Sequence, residues 1–216
     1  MLKGILFDLD GTLVDSLSTT FDAFNHAILE CGGKKHTPEQ IMAHFGLGEG
    51  QIFARLVGDH NAQRAYDAHH EYLLKNMDQV PLHEGVEELL EKLREAGVPL
   101  SIVTGRSWAT TETILKHHRL LDQFVTVIAN DHVGQPKPSP EGLEMAIKRM
   151  NLKPSEVIYV GDSSMDILAA RAAGMLGVAA LWDWLSEKKN LESVKPHHWA
   201  DKPSDVWELW LKLQSE

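Results

Sequence analysis

The 216 residues are 43% hydrophobic and 24% charged, the balance of a globular chain and not of a disordered one. A formal charge of −10 with histidine neutral argues against nucleic acid or an anionic membrane as a partner, though not against a small anionic substrate held by a local field. A single cysteine, Cys31, excludes an internal disulfide and fits a reducing cytoplasm, and no apolar run approaches the length of a membrane span.

Residues 4–8, GILFD, form a short continuous apolar run and predict a strand buried on both faces. Two aspartates, Asp8 and Asp10, stand at its end, followed by Gly11 and Thr12. From residue 16 to about 80 only helical periodicities occur. Phe21, Phe24 and Ile28 share a face, TPEQ at 37–40 is a capping box, and helical patterns follow at 49–57 and 60–77. That is far more than one crossover needs. The chain therefore reads as a core of residues 1–15 and 81–216 carrying an inserted all-α cap domain of residues 16–80, with LVDSLS and MDQVPLHEG as linkers.

Beyond the insertion, GVEELLEKLREAG has an apolar helical face and Gly97 where a helix ends. Strands follow at PLSIVT (99–104) and FVTVIA (124–129). Ser139 and Pro140 predict the start of the next helix, as N-cap and first helical position. Further strands are VIYVGD (157–162) and GVAALW (177–182). This alternation predicts a doubly wound, Rossmann-like α/β fold with a parallel sheet. In the tail, Trp207 and Trp210 at helical spacing read as core. Three His-His pairs, at 69–70, 117–118 and 197–198, read as solvated surface, because adjacent helical residues diverge.

Ligands of open α/β sheets bind at the carboxyl ends of the strands. In this chain those ends carry Asp8 and Asp10; Thr104, Gly105 and Arg106; Asp131 and then Lys137 between prolines; and Asp162 with Asp166. Singly, each has an ordinary reading as a turn, cap or surface residue. Together, several acids on one sheet edge are unfavourable unless a cation compensates them. Oxygen ligands select a hard cation, most simply Mg²⁺. Glycine backbone at Gly11 and Gly105 lets a phosphate approach, and Lys137 supplies a counter-charge. Such a set suits phosphoryl transfer.

DLDGTLVDS resembles the first motif of the haloacid dehalogenase-like hydrolase superfamily. SIVTG is similar to the second, Lys137 in GQPKPSPEG to the third, and VIYVGDSSMDILAARAAG to the fourth. The insertion resembles the helical cap of one branch. The resemblance implies that Asp8 attacks phosphorus and Asp10 acts as acid and base. It implies that Thr104 and nearby backbone hold phosphate with Gly11, Thr12 and Gly105, and that Lys137 neutralises charge. Mg²⁺ is then held by Asp8, the Asp10 carbonyl and Asp162, with Asp166 as a further ligand or a support. Arg106, where many relatives have Asn or Ser, reaches either substrate or solvent.

The same resemblance sorts the chemistry. Asp10 is the acid that the family's dehalogenases lack. No lysine lies between His36 and Leu74 for the Schiff base of the phosphonoacetaldehyde hydrolases. Glu49 falls near the arginine usual in β-phosphoglucomutases. The expectation is a cytoplasmic Mg²⁺-dependent phosphatase acting on a small phosphorylated metabolite, phosphoglycolate phosphatase-like. Alternatives are an inorganic pyrophosphatase or sugar phosphatase, then a phosphomutase, then an inactive phosphate-binding regulator. Substrate choice would involve cap residues such as His44, Glu49 and Arg55.

Overall fold

The computed structural model describes residues 1–215. Six strands form one parallel sheet: β1 (Gly4–Phe7), β2 (Leu100–Val103), β3 (Thr126–Ile128), β4 (Val157–Gly161), β5 (Leu176–Ala180) and β6 (His198–Ala200). Their order is β3-β2-β1-β4-β5-β6. The chain starts mid-sheet, builds outward to one side, then returns to build the other. The winding therefore reverses between β1 and β4, the place where such sheets open a crevice. There Phe7 is in register with Val160, and the Asp8 amide donates to the Val160 carbonyl at 2.9 Å.

Alternation along the strands feeds two apolar layers. Ile5, Phe7, Ile102 and Val160 enter one, with Leu89 and Leu93 of α5 (Val86–Glu95). Leu6, Val103 and Tyr159 enter the other, with Leu143 and Ala146 of α7 (Glu141–Met150) and Ala169 of α8 (Ser164–Ala172). Helix α5 ends as expected: Gly97 takes φ +69° and the Val98 amide reaches back to the Leu93 carbonyl at 2.9 Å. Helix α7 begins at Glu141, one residue later than the sequence indicated. Pro140 already has helical angles, and the Ser139 hydroxyl accepts from the Glu141 amide at 3.3 Å.

Between β1 and α5 lie α1 (Leu17–Glu30), α2 (Pro38–Met42), α3 (Glu49–Val57) and α4 (Asp59–Lys75). They share an apolar cluster of their own, including Phe21, Phe24, Ile41, Ile52 and Phe53. The capping box at Thr37 and Gln40 is present. The two linkers pair with each other. The Asp15 amide donates to the Pro81 carbonyl at 2.9 Å and the His83 amide to the Leu13 carbonyl at 3.1 Å. The base of the insertion is not separate from the main layer, because Leu73 and Met77 pack into it.

Two expectations need correction. A sixth strand, β6, extends the sheet beside β5. It is three residues long and its HWA sequence carries no apolar run, so periodicity could not find it. The His-His pairs are not uniformly solvated. His69 is fully buried between the rings of Phe24 and Phe53, at 4.7 and 5.5 Å. His118 Nε2 donates to the Val80 carbonyl at 2.7 Å, and His197 Nδ1 accepts from the Gly177 amide at 3.0 Å.

The remaining elements are α6 (Trp108–His117), α9 (Lys188–Glu192) and α10 (Pro203–Ser215). Trp210 of α10 is 6% exposed in the main apolar layer, while Trp207 is only half-buried against it. Truncating a buried tryptophan leaves an unfilled cavity, so Trp210→Ala should cost about 3–5 kcal/mol. Trp207→Ala should cost clearly less, as read from urea unfolding midpoints of both variants.

Candidate active site

A cavity of about 450 Å³ lies over the carboxyl ends of β1, β2 and β4, beneath the inserted helices. Asp8, Asp10, Thr104, Gly105, Arg106, Lys137 and Asp162 all line it. One carboxylate oxygen each from Asp8, Asp162 and Asp166 lie within 4.8 Å of one another. Burial, then the Asp166 and Asp8 charges, push the Asp162 carboxyl well above its ordinary range. Burial raises Asp8 as well, against the opposing charge of Lys137. Lys137 Nζ stands 3.0 Å from Asp8 Oδ1 as an ion pair without hydrogen-bond direction, so that buried oxygen has no hydrogen-bond partner. A crowded, oxygen-only acid set with an unpartnered oxygen fits a hard divalent cation.

Asp166 differs from the other two acids. Its Oδ1 accepts from Lys137 Nζ at 2.6 Å, and its Oδ2 accepts from the Ser163 amide at 3.0 Å and the Ser163 hydroxyl at 2.5 Å. The single proton of the buried Tyr159 hydroxyl is shared between Asp166 Oδ1 at 2.9 Å and the Val103 carbonyl at 2.8 Å, while that hydroxyl accepts from Lys137 Nζ at 3.0 Å. Asp166 thus anchors Lys137 from below. Burial would lower the Lys137 ammonium, but the Asp166 and Asp8 charges hold it above its ordinary value. Tyr159 was not singled out in the sequence. The only signal was a tyrosine hydroxyl inside an otherwise aliphatic strand.

Gly11 and Thr12 are not among the residues that line the cavity. Gly11 has φ +73° and turns the chain behind Asp162, where a Cβ would sit 2.5 Å from Asp162 Oδ2. The fully buried Thr12 hydroxyl donates to Asp162 Oδ1 at 3.1 Å. These two residues brace an acid. Asp131 caps α6, its Oδ1 accepting from the Trp108 amide at 2.8 Å.

Arg106 is buried and not solvated, although it lines the cavity. It is 6% exposed, and its guanidinium forks onto Asp10. Nε donates to Oδ2 at 2.9 Å and Nη2 to Oδ1 at 2.7 Å, the planar geometry only arginine offers. Nη2 also donates to Thr20 of α1 at 2.7 Å, and Nη1 lies 3.7 Å from Glu49 Oε1 of α3. Glu49, 6% exposed, accepts from the Ser107 hydroxyl at 2.7 Å, which in turn accepts from Tyr66 at 3.1 Å. Ser16 donates a short hydrogen bond to Asp10. Burial works against ionisation of Asp10, but the Arg106 charge outweighs it and holds the carboxyl below its ordinary range. Burial raises Glu49. Of the other cap candidates, neither His44 nor Arg55 lines the cavity.

Residues 5–180 match the family described as haloacid dehalogenase-like hydrolase. The chain is 30% identical over 206 residues to the pyrophosphatase PpaX of Bacillus mycoides, covering 95% of each protein. Its fold superposes with a TM-score of 0.84 on a hydrolase from Pseudomonas syringae, at 25% identity over 97% of this chain and 98% of the other. A phosphoglycolate phosphatase predicted in Haemophilus somnus 129pt shares the fold at a TM-score of 0.86, with 24% identity over 96% and 97%.

Removing the guanidinium leaves Asp10 and Glu49 buried and uncompensated. Arg106→Ala should therefore cost about 3–5 kcal/mol, a melting-temperature drop of roughly 6–20 °C for a chain this size. Arg106→Ala combined with Glu49→Gln should recover part of that loss in calorimetric melts.

Proposed function

The chain belongs to the haloacid dehalogenase-like hydrolase family, and on that premise we propose that it is a cytoplasmic Mg²⁺-dependent phosphatase, phosphoglycolate phosphatase-like, acting on a small phosphorylated metabolite. The observation that carries this reading is Asp8: a carboxylate lining the cavity beside Asp162, with Oδ1 in an ion pair with Lys137 at 3.0 Å. Residues 16–80 act as a cap that covers the reacting phosphorus and excludes water.

Asp8 attacks phosphorus and forms an aspartyl phosphate as the bond to the leaving oxygen breaks. Asp10 gives that oxygen a proton, then takes one from the water that attacks the same phosphorus, which frees phosphate and restores the Asp8 carboxylate. Arg106 favours the ionised form of Asp10, which serves the second step and burdens the first. Thr104 and Gly105, on the cavity wall, hold phosphoryl oxygens, and Lys137 offsets their charge. Asp8 and Asp162 would hold Mg²⁺, with any share of Asp10 falling to its backbone carbonyl because its carboxylate is engaged elsewhere. Bound there, Mg²⁺ supplies charge stabilisation to the transferred group. Asp166 acts as the support that orients Lys137.

A second reading, inorganic pyrophosphatase, is favoured by the relative that bears that name. Both readings share the aspartyl-phosphate chemistry and differ in what leaves.

Asp8→Asn should abolish release of phosphate from 4-nitrophenyl phosphate while the circular dichroism spectrum stays unchanged. A variant retaining a tenth of the wild-type kcat, with deamidation excluded by mass, would sink the nucleophile assignment. Gly11→Ala should displace Asp162 and raise the Mg²⁺ concentration for half-maximal activity about tenfold or more. Chelation of Mg²⁺ should silence the wild type, and readdition should restore it.

A further inference from the structure

We propose that the phosphomonoester taken by this cavity carries an uncharged, largely apolar leaving group, an alkyl or aryl body and not a carboxylate or a second phosphate. The proposal rests on the phosphatase reading and departs from phosphoglycolate and pyrophosphate as its substrates.

Charge in the cavity is the first ground. Asp8, Asp10, Glu49 and Asp162 line it against Lys137 and Arg106, while Glu187, at the exposed edge of the lining, is paired with Lys189 at 2.7 Å. Both cations are already committed. Lys137 is paired with Asp8 and Asp166, at 3.0 and 2.6 Å. Arg106 is forked onto Asp10, with Glu49 at 3.7 Å behind it. Among the described lining residues Lys137 and Arg106 are the cations; the phosphoryl group will call on Lys137, and the one Arg106 nitrogen without a hydrogen bond, Nη1, is buried 3.7 Å from Glu49 Oε1. With Asp8 and Asp162 given to Mg²⁺ the lining holds no spare positive charge, so a carboxylate or second phosphate on the leaving group would be desolvated without a counter-charge, which is unfavourable.

Shape and polarity are the second, independent ground. On the side of the inserted helices the lining is Leu17, Phe24, Met42, Phe45, Leu47 and Ile52. Met165 and Leu185 continue it on the core side. Phe45 and Met165, each 39% exposed, are large apolar side chains in contact with water until something covers them. At about 450 Å³ the space exceeds what phosphate alone needs and falls within the usual range of roughly 300–1,000 Å³ for small-ligand sites. Nearest phosphorus the wall is acidic and hydroxylated; further out it is hydrocarbon. Each methylene buried there should favour binding by about fourfold.

The test is steady-state kcat/KM with Mg²⁺ for n-butyl phosphate, phosphoglycolate and inorganic pyrophosphate, read as phosphate release. Butyl phosphate and phosphoglycolate both release a primary alcohol, so the comparison isolates charge and apolar bulk. Butyl phosphate is expected to exceed both of the others by about tenfold. A ratio below threefold against either one overturns the inference and leaves the phosphatase reading standing. Turnover of none of the three, nor of 4-nitrophenyl phosphate, removes that reading and the inference with it. Leu47→Arg places a cation in the apolar wall and should shift the phosphoglycolate-to-butyl phosphate ratio tenfold or more towards phosphoglycolate. Phe45→Arg, at an exposed position, serves where Leu47→Arg does not fold. An unchanged ratio in the folded variant overturns the proposal.

Discussion

Adjacent strands β1 and β4 end in acids, and this one juxtaposition governs the rest of the site. Because the winding reverses between them, Asp8 is delivered beside Asp162, with Asp166 one helical turn further on. Three carboxylates at such distances, two of them buried and Asp162 half-buried, repel one another, and burial deepens the penalty. The fold answers in two ways. Lys137 enters from the loop after β3 and is fixed by Asp166, Tyr159 and the Val103 carbonyl. Gly11, Thr12 and Ser163 hold the acids in place through a tight turn and two hydroxyls. What one lysine does not offset is left for a dication. The repulsion within the acid cluster and its fit to a divalent cation have the same electrostatic origin.

A second ionic cluster lies beside the first and does different work. Arg106 sits at the end of β2, yet its partners are Asp10 from β1, Thr20 from α1 and Glu49 from α3. Its Nε and Nη2 donors are spread over Asp10 and Thr20, while Nη1 lies 3.7 Å from Glu49. A lysine could not make this fork, and a hydroxyl or amide would leave Glu49 buried without a counter-charge. The cluster therefore ties the position of the helical layer to the ionisation of Asp10. Tyr66 and Ser107 extend the tie with neutral hydrogen bonds.

The sheet, the insertion and the acids were legible because each has a local signature. Buried parallel strands are continuous apolar runs, the inserted helices have their period and a capping box, and Asp8, Asp10, Asp162 and Asp166 stand at strand ends. What stayed hidden depends on contacts distant in sequence. The edge strand β6 exists because β5 offers it a ladder, not because HWA is a strand by pattern. Nothing in TGR says that Arg106 turns inward; that requires Asp10, 96 residues earlier in the chain, to be within reach. Gly11 and Thr12 follow the first acids so closely that they read as phosphate binders, whereas the turn carries them behind Asp162. His69 reads as surface beside His70 until Phe24 and Phe53 close over it.

The same division explains why chemistry was easier to read than substrate. Asp8 and Asp162 stand at the ends of sheet strands, whose geometry follows from hydrophobic periodicity and winding. The outer cavity wall is built from side chains of α1, α2, α3 and the loop before Glu49, which converge only when the helices pack on one another. In the sequence, Phe24 and Ile52 are indistinguishable from ordinary core residues, and indeed they serve the core as well. A residue that fills a core on one side and lines a cavity on the other leaves one apolar letter for both duties. Arg106 shows the polar counterpart. A cation at the edge of a phosphate site invites assignment to substrate, but its charge is already answered by Asp10 and Glu49. The electrostatic character of the cavity is therefore set by which ions are paired, and not by which ions are present.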